Sequence, residues 1–172
     1  ARGLEIIARH GAVPLVFWSP WDRPYEQQRG PDRFRLERIL AGEWDAYIDA
    51  WADAARAFDR PLLVSWGLEM NGEWFPWSGT YYNVAAGAPA AAADPHPGPR
   101  LYVQAYRHVV DRVRARGAGR IQWVFHANHF SFPDADWNRM ACYWPGADYV
   151  DWLGLSVENI ADYLRKSSPA RS

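Results

Sequence analysis

Short apolar runs alternate with amphipathic stretches along this chain. Val13-Pro-Leu-Val-Phe-Trp18, Leu62 to Trp66, Ile121-Gln-Trp-Val-Phe-His126 and Val150-Asp-Trp-Leu-Gly-Leu-Ser-Val157 each read as a buried strand. Pro14 sits near the start of its run, where a missing N–H is tolerated. Trp44, Tyr47, Ile48, Trp51, Ala55 and Phe58 recur at helical spacing, and so do Tyr102, Val103, Tyr106, Val109, Val110 and Val113. Leu4 to Arg9 reads as the end of a helix stopped at Gly11, and Ile160 to Lys166 as the start of another. A polar loop from Ser19 to about Asp32 and a loop from Asn128 to Gly146 separate these elements. Residues 84–99, rich in Ala, Pro and Gly, read as a surface excursion. From Ser167 the chain reads as a tail.

Continuous apolar strands alternating with helices predict an α/β fold with a parallel sheet covered by helices. Two architectures compete, an open doubly wound sheet and a (β/α)8 barrel. No Gly-rich phosphate loop follows the first strand, which weakens the dinucleotide-binding form of the first. A barrel needs roughly 250 residues. Four strands in 172 residues would be about half of one, treated as a single, partial catalytic-type barrel domain over 1–172. The chain begins at Ala1 without Met or a leader and reads as a fragment or a mature segment.

Composition narrows the chemistry. Nineteen basic and twenty acidic residues give a net charge of −1, which removes the electrostatic case for nucleic acid or an anionic membrane. No apolar run approaches the roughly 18 residues of a membrane span. A single cysteine, Cys142, rules out an internal disulfide. Aromatic residues make up 16% of the chain, with eleven Trp. Trp18, Trp21, Trp74, Trp77, Tyr81, Tyr82, Trp137, Tyr143 and Trp144 fall in or beside predicted loops, where they are expected to form an exposed stacking surface. Flat rings bind sugars or unstacked bases, and the missing basic excess disfavours bases.

The candidate chemistry centres on Leu68-Glu-Met-Asn-Gly-Glu-Trp-Phe-Pro-Trp77. Glu69 follows a buried strand and precedes three large aromatics. A carboxyl there can protonate a glycosidic oxygen while an indole stacks on the sugar. The plain alternative is a surface carboxylate in a turn. Asn71 either contacts a sugar hydroxyl or holds the turn with Gly72, and Glu73 reads as solvent-facing. Trp74 and Trp77 read as sugar platforms, with core packing as the alternative. Trp44, Trp51, Trp66 and Trp123 read as core. His126 and His129 lack a third ligand motif for a metal, so His126 reads instead as a sugar contact near the strand end.

These residues form an ordered set that resembles glycoside hydrolase family 26, the retaining endo-β-1,4-mannanase family of (β/α)8 TIM-barrel enzymes. Glu69-Met-Asn-Gly-Glu-Trp74 with Pro76-Trp77-Ser-Gly79 is similar to the family's acid/base motif. Trp18-Ser-Pro-Trp21 resembles its Trp-Glu-Pro-Trp segment. Ala105-Tyr-Arg-His-Val-Val-Asp111, Val124-Phe-His-Ala-Asn128 and Tyr143-Trp-Pro-Gly-Ala-Asp-Tyr-Val-Asp-Trp152 resemble the segments that follow. The resemblance implies a partial (β/α)8 TIM barrel, about strands 3 to 6 with their helices. It implies Glu69 as general acid/base, and Trp74 beside the scissile bond. Trp18 and Trp21 would then lie on the glycone side. The family's nucleophile is a Glu on strand seven, which nothing here matches, and Glu158 after the last visible strand is the nearest candidate. Leu68 replaces the usual His, Ser19 the usual Glu, and Val157-Glu158-Asn159 the usual Gly-Tyr-Asn.

The expected function is therefore a retaining hydrolase of β-linked polysaccharide, most of all β-1,4-mannan. A non-catalytic β-glycan-binding barrel is the alternative, and an unrelated doubly wound protein a third. No metal or organic cofactor is expected. The expected partner is a polysaccharide or oligosaccharide, with no nucleic acid and no membrane, in an extracellular setting. Half a barrel exposes sheet edges, so the isolated chain is expected to self-associate.

Overall fold

The computed structural model describes residues 2–22, 32–83 and 94–158. In order these form α1 (Arg2–Arg9), β1 (Leu15–Trp18), α2 (Leu36–Leu40), α3 (Asp45–Phe58), β2 (Leu62–Trp66), α4 (Gly98–Ala115), β3 (Ile121–Asn128) and β4 (Trp152–Ser156), with short 3-10 segments between. The strands form one sheet of order β1-β2-β3-β4, parallel throughout. A doubly wound sheet reverses its strand order at a switch point, whereas a barrel adds strands in sequence. The sequential order therefore selects the barrel over the open sheet.

The two faces of the sheet differ, as a barrel demands. Leu62, Val64, Trp66, Trp123, Phe125 and Ala127 are buried on one side. They pack under α3 and α4, whose inward stripe is Ile48, Ala52, Tyr102, Ala105, Tyr106, Val109, Val110 and Val113. Trp66 lies 5.7 Å from the Tyr102 ring and 6.1 Å from Tyr106, and the Tyr102 hydroxyl donates to the carbonyls of Trp66 and Gly67. The opposite face carries Phe17 and Trp152, 52% and 55% exposed. That face would line the interior of a closed barrel.

A ladder of ion pairs ties α3 to α4. Asp45 meets His108 and Arg112, each at 2.7 Å, Asp49 meets Arg112 at 2.8 Å, and Asp53 meets Arg116. The periodicity of four on both helices makes the rungs. Each exposed rung contributes about 0–1 kcal/mol, so the ladder sets the pairing of the helices more than their stability.

Three expectations need correction. Residues 98 and 99 belong to α4, not to a surface excursion, because Gly98 packs against the Gly79 carbonyl so closely that a Cβ would lie 2.0 Å from its oxygen. Residues 84–93 lie outside the described residues, as does the helix expected at 160–166. The short helix α2 was not anticipated and buries Leu36 and Ile39. Finally, Trp18, Trp77, Tyr82 and Tyr143 are buried rather than exposed. Polar tips make this possible for three of them. Trp77 Nε1 donates to the Leu68 carbonyl, the Tyr82 hydroxyl to the Pro76 carbonyl, and the Tyr143 hydroxyl to Asn138 Oδ1. These three rings turn back to hold their own loops, whereas Trp18 stacks on Trp51 of α3.

Candidate active site

The site grows from the end of β2. After Trp66 the backbone enters the left-handed region twice, at Gly67 (φ 58°) and at Glu69 (φ 54°). Glycine adopts that conformation without cost. Glutamate does not, and a non-glycine residue held there marks a place where the surroundings impose the geometry. The imposing contacts are visible. Glu69 N–H donates to the His126 carbonyl on β3 at 2.7 Å, and Gly72 N–H donates to the Glu69 carbonyl at 3.0 Å. The carboxylate is oriented in turn, because Trp74 Nε1 donates to Glu69 Oε2 at 2.7 Å. Gly72 permits this, since a Cβ there would fall 2.5 Å from the Trp74 indole.

Asn71 is fully buried and serves as the joint between this loop and the one after β3. Its side-chain nitrogen donates to the carbonyls of Asn128 and Phe130 and to Ser131 Oγ, while its Oδ1 accepts from Asn128 N–H at 2.9 Å. Its carbonyl accepts from Phe132 N–H and from Asn138 Nδ2. The turn-holding role is the one the structure gives it, and no surface remains for a sugar.

The joined loops enclose a cleft of about 500 Å³ at the carboxyl ends of β2, β3 and β4. Glu69, Trp74 and Phe75 form one wall. Asn128, His129 and Phe130 form a second, and Ser156 and Glu158 a third. Two carboxylates thus share one cavity with three aromatic rings. No Lys or Arg lines it among the described residues. His129 Nδ1 lies 3.0 Å from both Asn128 Oδ1 and the Ser156 carbonyl. Both are acceptors, so Nδ1 carries a proton.

His126 sits beneath the cleft, not in its wall. Its Nε2 pairs with Ser156 Oγ at 2.9 Å, and its ring packs 5.6 Å from Phe17. Gly154, its register partner on β4, leaves room for the imidazole. Burial lowers its pKa, with the Glu69 charge opposing weakly. The native state therefore binds fewer protons than the unfolded chain at and somewhat below about pH 6.5. Stability from this residue is complete above that value and is lost as the pH falls through the depressed native pKa. The wild type should lose more thermal stability between pH 7 and pH 5 than His126→Gln. Parallel losses would assign that pH dependence to other groups.

The structure separates the remaining candidates from the cleft. Trp77 is 1% exposed, stacked under Phe75 at 4.6 Å. Trp18 faces the helices, stacked on Trp51 at 4.0 Å. Trp21 stands edge-on to Phe75 at 5.7 Å, and with Trp18 lines a second cavity. Glu73 is exposed, as expected. Phe75, Phe130 and Ser156 were missed as site residues. For Phe130 and Ser156 the one sequence signal is a place just beyond, or at, a strand's carboxyl end, the position that faces the mouth of a barrel, whereas Phe75 is signalled only as one of the three aromatics that follow Glu69.

A sequential parallel sheet with its cleft at the carboxyl strand ends defines a (β/α)8-barrel protein with a mouth site, and comparison with known proteins specifies which kind. The family model of glycosyl hydrolase family 26 matches residues 38–168, and the chain belongs to that family. Mannan endo-1,4-beta-mannosidase of Bacillus subtilis is 34% identical over 158 residues, which is 90% of this chain and 40% of that protein. Beta-1,3-xylanase TXYA of a Vibrio species is 31% identical over 122 residues, 70% of this chain and 22% of that one. Endoglucanase H of Acetivibrio thermocellus is 25% identical, across 90% of this chain and 15% of its own. Among solved structures, the B. subtilis mannanase BCman superposes with a TM-score of 0.65 at 22% identity, covering 98% of this chain and 52% of that one. A β-mannanase from a symbiotic protist of the termite Reticulitermes speratus, solved with a gluco-manno-oligosaccharide, gives 0.63 at 18% identity, covering 96% of this chain and 51% of that one. The chain spans well under half the length of these curated relatives and about half of the structures.

Proposed function

We propose that this chain supplies the acid/base half of a retaining β-glycanase site, with β-1,4-mannan as the substrate. The observation that carries the reading is Glu69 itself, strained at the end of β2 and aimed by the Trp74 indole into an aromatic-walled cleft. In the first step the Glu69 carboxyl protonates the glycosidic oxygen as the bond to the anomeric carbon breaks. A second carboxylate attacks that carbon and forms a glycosyl ester. In the second step Glu69, now anionic, takes a proton from water, and the water oxygen displaces the ester with net retention. The nucleophile is assigned to a strand beyond the four described, since Glu158 follows β4 and family 26 places its nucleophile one strand further on. Glu158 then contacts sugar hydroxyls across the cleft from Glu69.

Trp74, Phe75 and Phe130 offer ring faces to the sugars, and Trp21 buttresses Phe75. Asn71, Trp77 and His126 act through the loops and side chains they hold. The mannan preference rests on the B. subtilis mannosidase, which is 34% identical over 90% of this chain, against 25% over the same share for endoglucanase H and 31% over 70% for the xylanase. We infer an extracellular setting, because a polymer substrate is too large to enter a cell. No helix among the described residues is long and apolar enough to cross a membrane.

The test is proton NMR of the full-length protein acting on β-1,4-mannohexaose. The β-anomer of the new reducing end should form first and then mutarotate. Initial α-anomer would overturn the retaining assignment. Binding without hydrolysis of β-mannan, β-1,3-xylan or β-1,4-glucan would overturn catalysis and select a glycan-binding barrel.

A further inference from the structure

His129 is the first residue beyond β3, at the corner where the ends of β3 and β4 pair. It is held there twice. Its backbone N–H donates to the Ser156 carbonyl at 3.2 Å, and its ring Nδ1 lies 3.0 Å from that same carbonyl and from Asn128 Oδ1. The Phe130 ring meets the imidazole edge-on, with centroids 4.5 Å apart and planes at 87°. His129 is exposed, yet its ring is oriented before any ligand arrives. A group already in place loses little freedom on binding.

The anchoring decides which atom is left over. Nδ1 donates into the wall made by the strand ends, so Nε2, on the other side of the ring, points away from that wall. Nε2 has no hydrogen-bond or ionic partner among the described residues, although the ring lines the cleft with Glu69 and Glu158. His126 differs in this, because Ser156 Oγ already occupies its Nε2.

The surroundings narrow what Nε2 can receive. Two carboxylates and no Lys or Arg line the cleft among the described residues, so an anionic sugar such as a uronate is repelled. Three aromatic rings offer flat apolar faces to a neutral pyranose. A hydroxyl both donates and accepts, so it pairs with Nε2 whether or not that atom is protonated. An esterified oxygen has lost its hydrogen. It offers nothing to Nε2 of a neutral ring whose proton is on Nδ1, and it brings extra bulk to a fixed wall.

The structure assigns His129 as a specificity-determining residue: its Nε2 hydrogen-bonds a free hydroxyl of the sugar in the cleft, so that the site takes neutral, unesterified units and rejects O-acetylated ones. The assignment rests on the glycanase reading of the cleft.

The experiment compares kcat/KM of the full-length protein on β-1,4-mannan and on the same mannan carrying O-acetyl groups. Two variants divide the roles of the ring. His129→Asn places an amide nitrogen near the Nδ1 position and keeps the tie to Ser156, but has no atom near Nε2. His129→Gln reaches the Nε2 position and gives up the tie. The wild type should prefer the free mannan by about tenfold. His129→Asn should lose about three- to tenfold on free mannan and less than about twofold on the acetylated polymer, so that the preference collapses. His129→Gln, whose amide can meet the same hydroxyl, should keep the greater part of the preference while melting at a lower temperature. An Asn variant with the wild-type preference, or one that loses activity equally on both polymers, would overturn the assignment and leave the ring as a joint between β3 and β4. A wild type that cleaves both polymers equally well would overturn it too. Those results leave the glycanase reading standing. If neither polymer is cleaved, that reading fails and this one with it.

Discussion

Replacing Glu69 by Gln in the full-length protein should lower kcat on β-mannan by about three orders of magnitude, within the 10²–10⁴-fold range of general acid–base groups, while KM changes little. The amide is the right replacement for geometric reasons. It keeps an oxygen to accept from Trp74 Nε1, and it can occupy the same left-handed backbone position at the same strain. It cannot release a proton to a leaving oxygen. The defect should therefore depend on how much the leaving group needs that proton. On a 2,4-dinitrophenyl β-mannoside, whose phenolate departs unaided, the first step should survive and the second should become limiting. Added azide should then restore turnover and yield the β-glycosyl azide, because an anion needs no deprotonation to attack the ester. A loss of less than about tenfold on mannan, or azide rescue equal on both substrates, would remove Glu69 from the acid/base role.

How far the sequence leads depends on whether a feature is local. β2 was legible residue for residue, because Pro61 and Gly67 bound an apolar run of the right length. Glu69 was legible for the same reason, since the run fixes where the strand stops and the loop starts. β1 is shorter than its apolar run, beginning at Leu15 after Pro14. The direction of aromatic side chains was not legible. Trp74 and Trp77 lie three residues apart in one loop, yet one indole reaches Glu69 in the cleft and the other donates to Leu68 in the core. A hydrogen-bond acceptor supplied by the folded backbone decides between them, and no window of sequence shows it. The third wall of the cleft is a convergence of β4 on β2 and β3, so Ser156 and Glu158 became neighbours of Glu69 only through the register of the sheet. His126 looked like a cleft residue because its apolar run ends there, but β3 runs on to Asn128 and alternation turns His126 toward Phe17 and Ser156 instead.

Asn71→Ala should destabilise the protein by about 3 kcal/mol and reduce affinity for long oligosaccharides, although Asn71 touches no substrate. The magnitude follows from what is left behind. Truncation removes one amide that makes four side-chain hydrogen bonds across two loops. The Asn128 N–H and C=O are buried and lose their partner together, and an unsatisfied buried group costs about 1–3 kcal/mol. Losses within one network are shared, so the total falls below the sum of its parts. The functional effect is transmitted by the loop after β3, because Asn71 holds the carbonyls of Asn128 and Phe130, and both residues line the cleft. Asn71→Asp sharpens the test. It keeps the acceptor for Asn128 N–H but replaces three donated bonds with a charge facing carbonyl oxygens, so it should be the more damaging of the two. Urea unfolding of the full-length variants gives the stabilities, and KM on mannohexaose against mannotriose gives the functional part. A cost below about 1 kcal/mol, or an Asp variant as stable as the wild type, would show that the two loops keep their places without this joint.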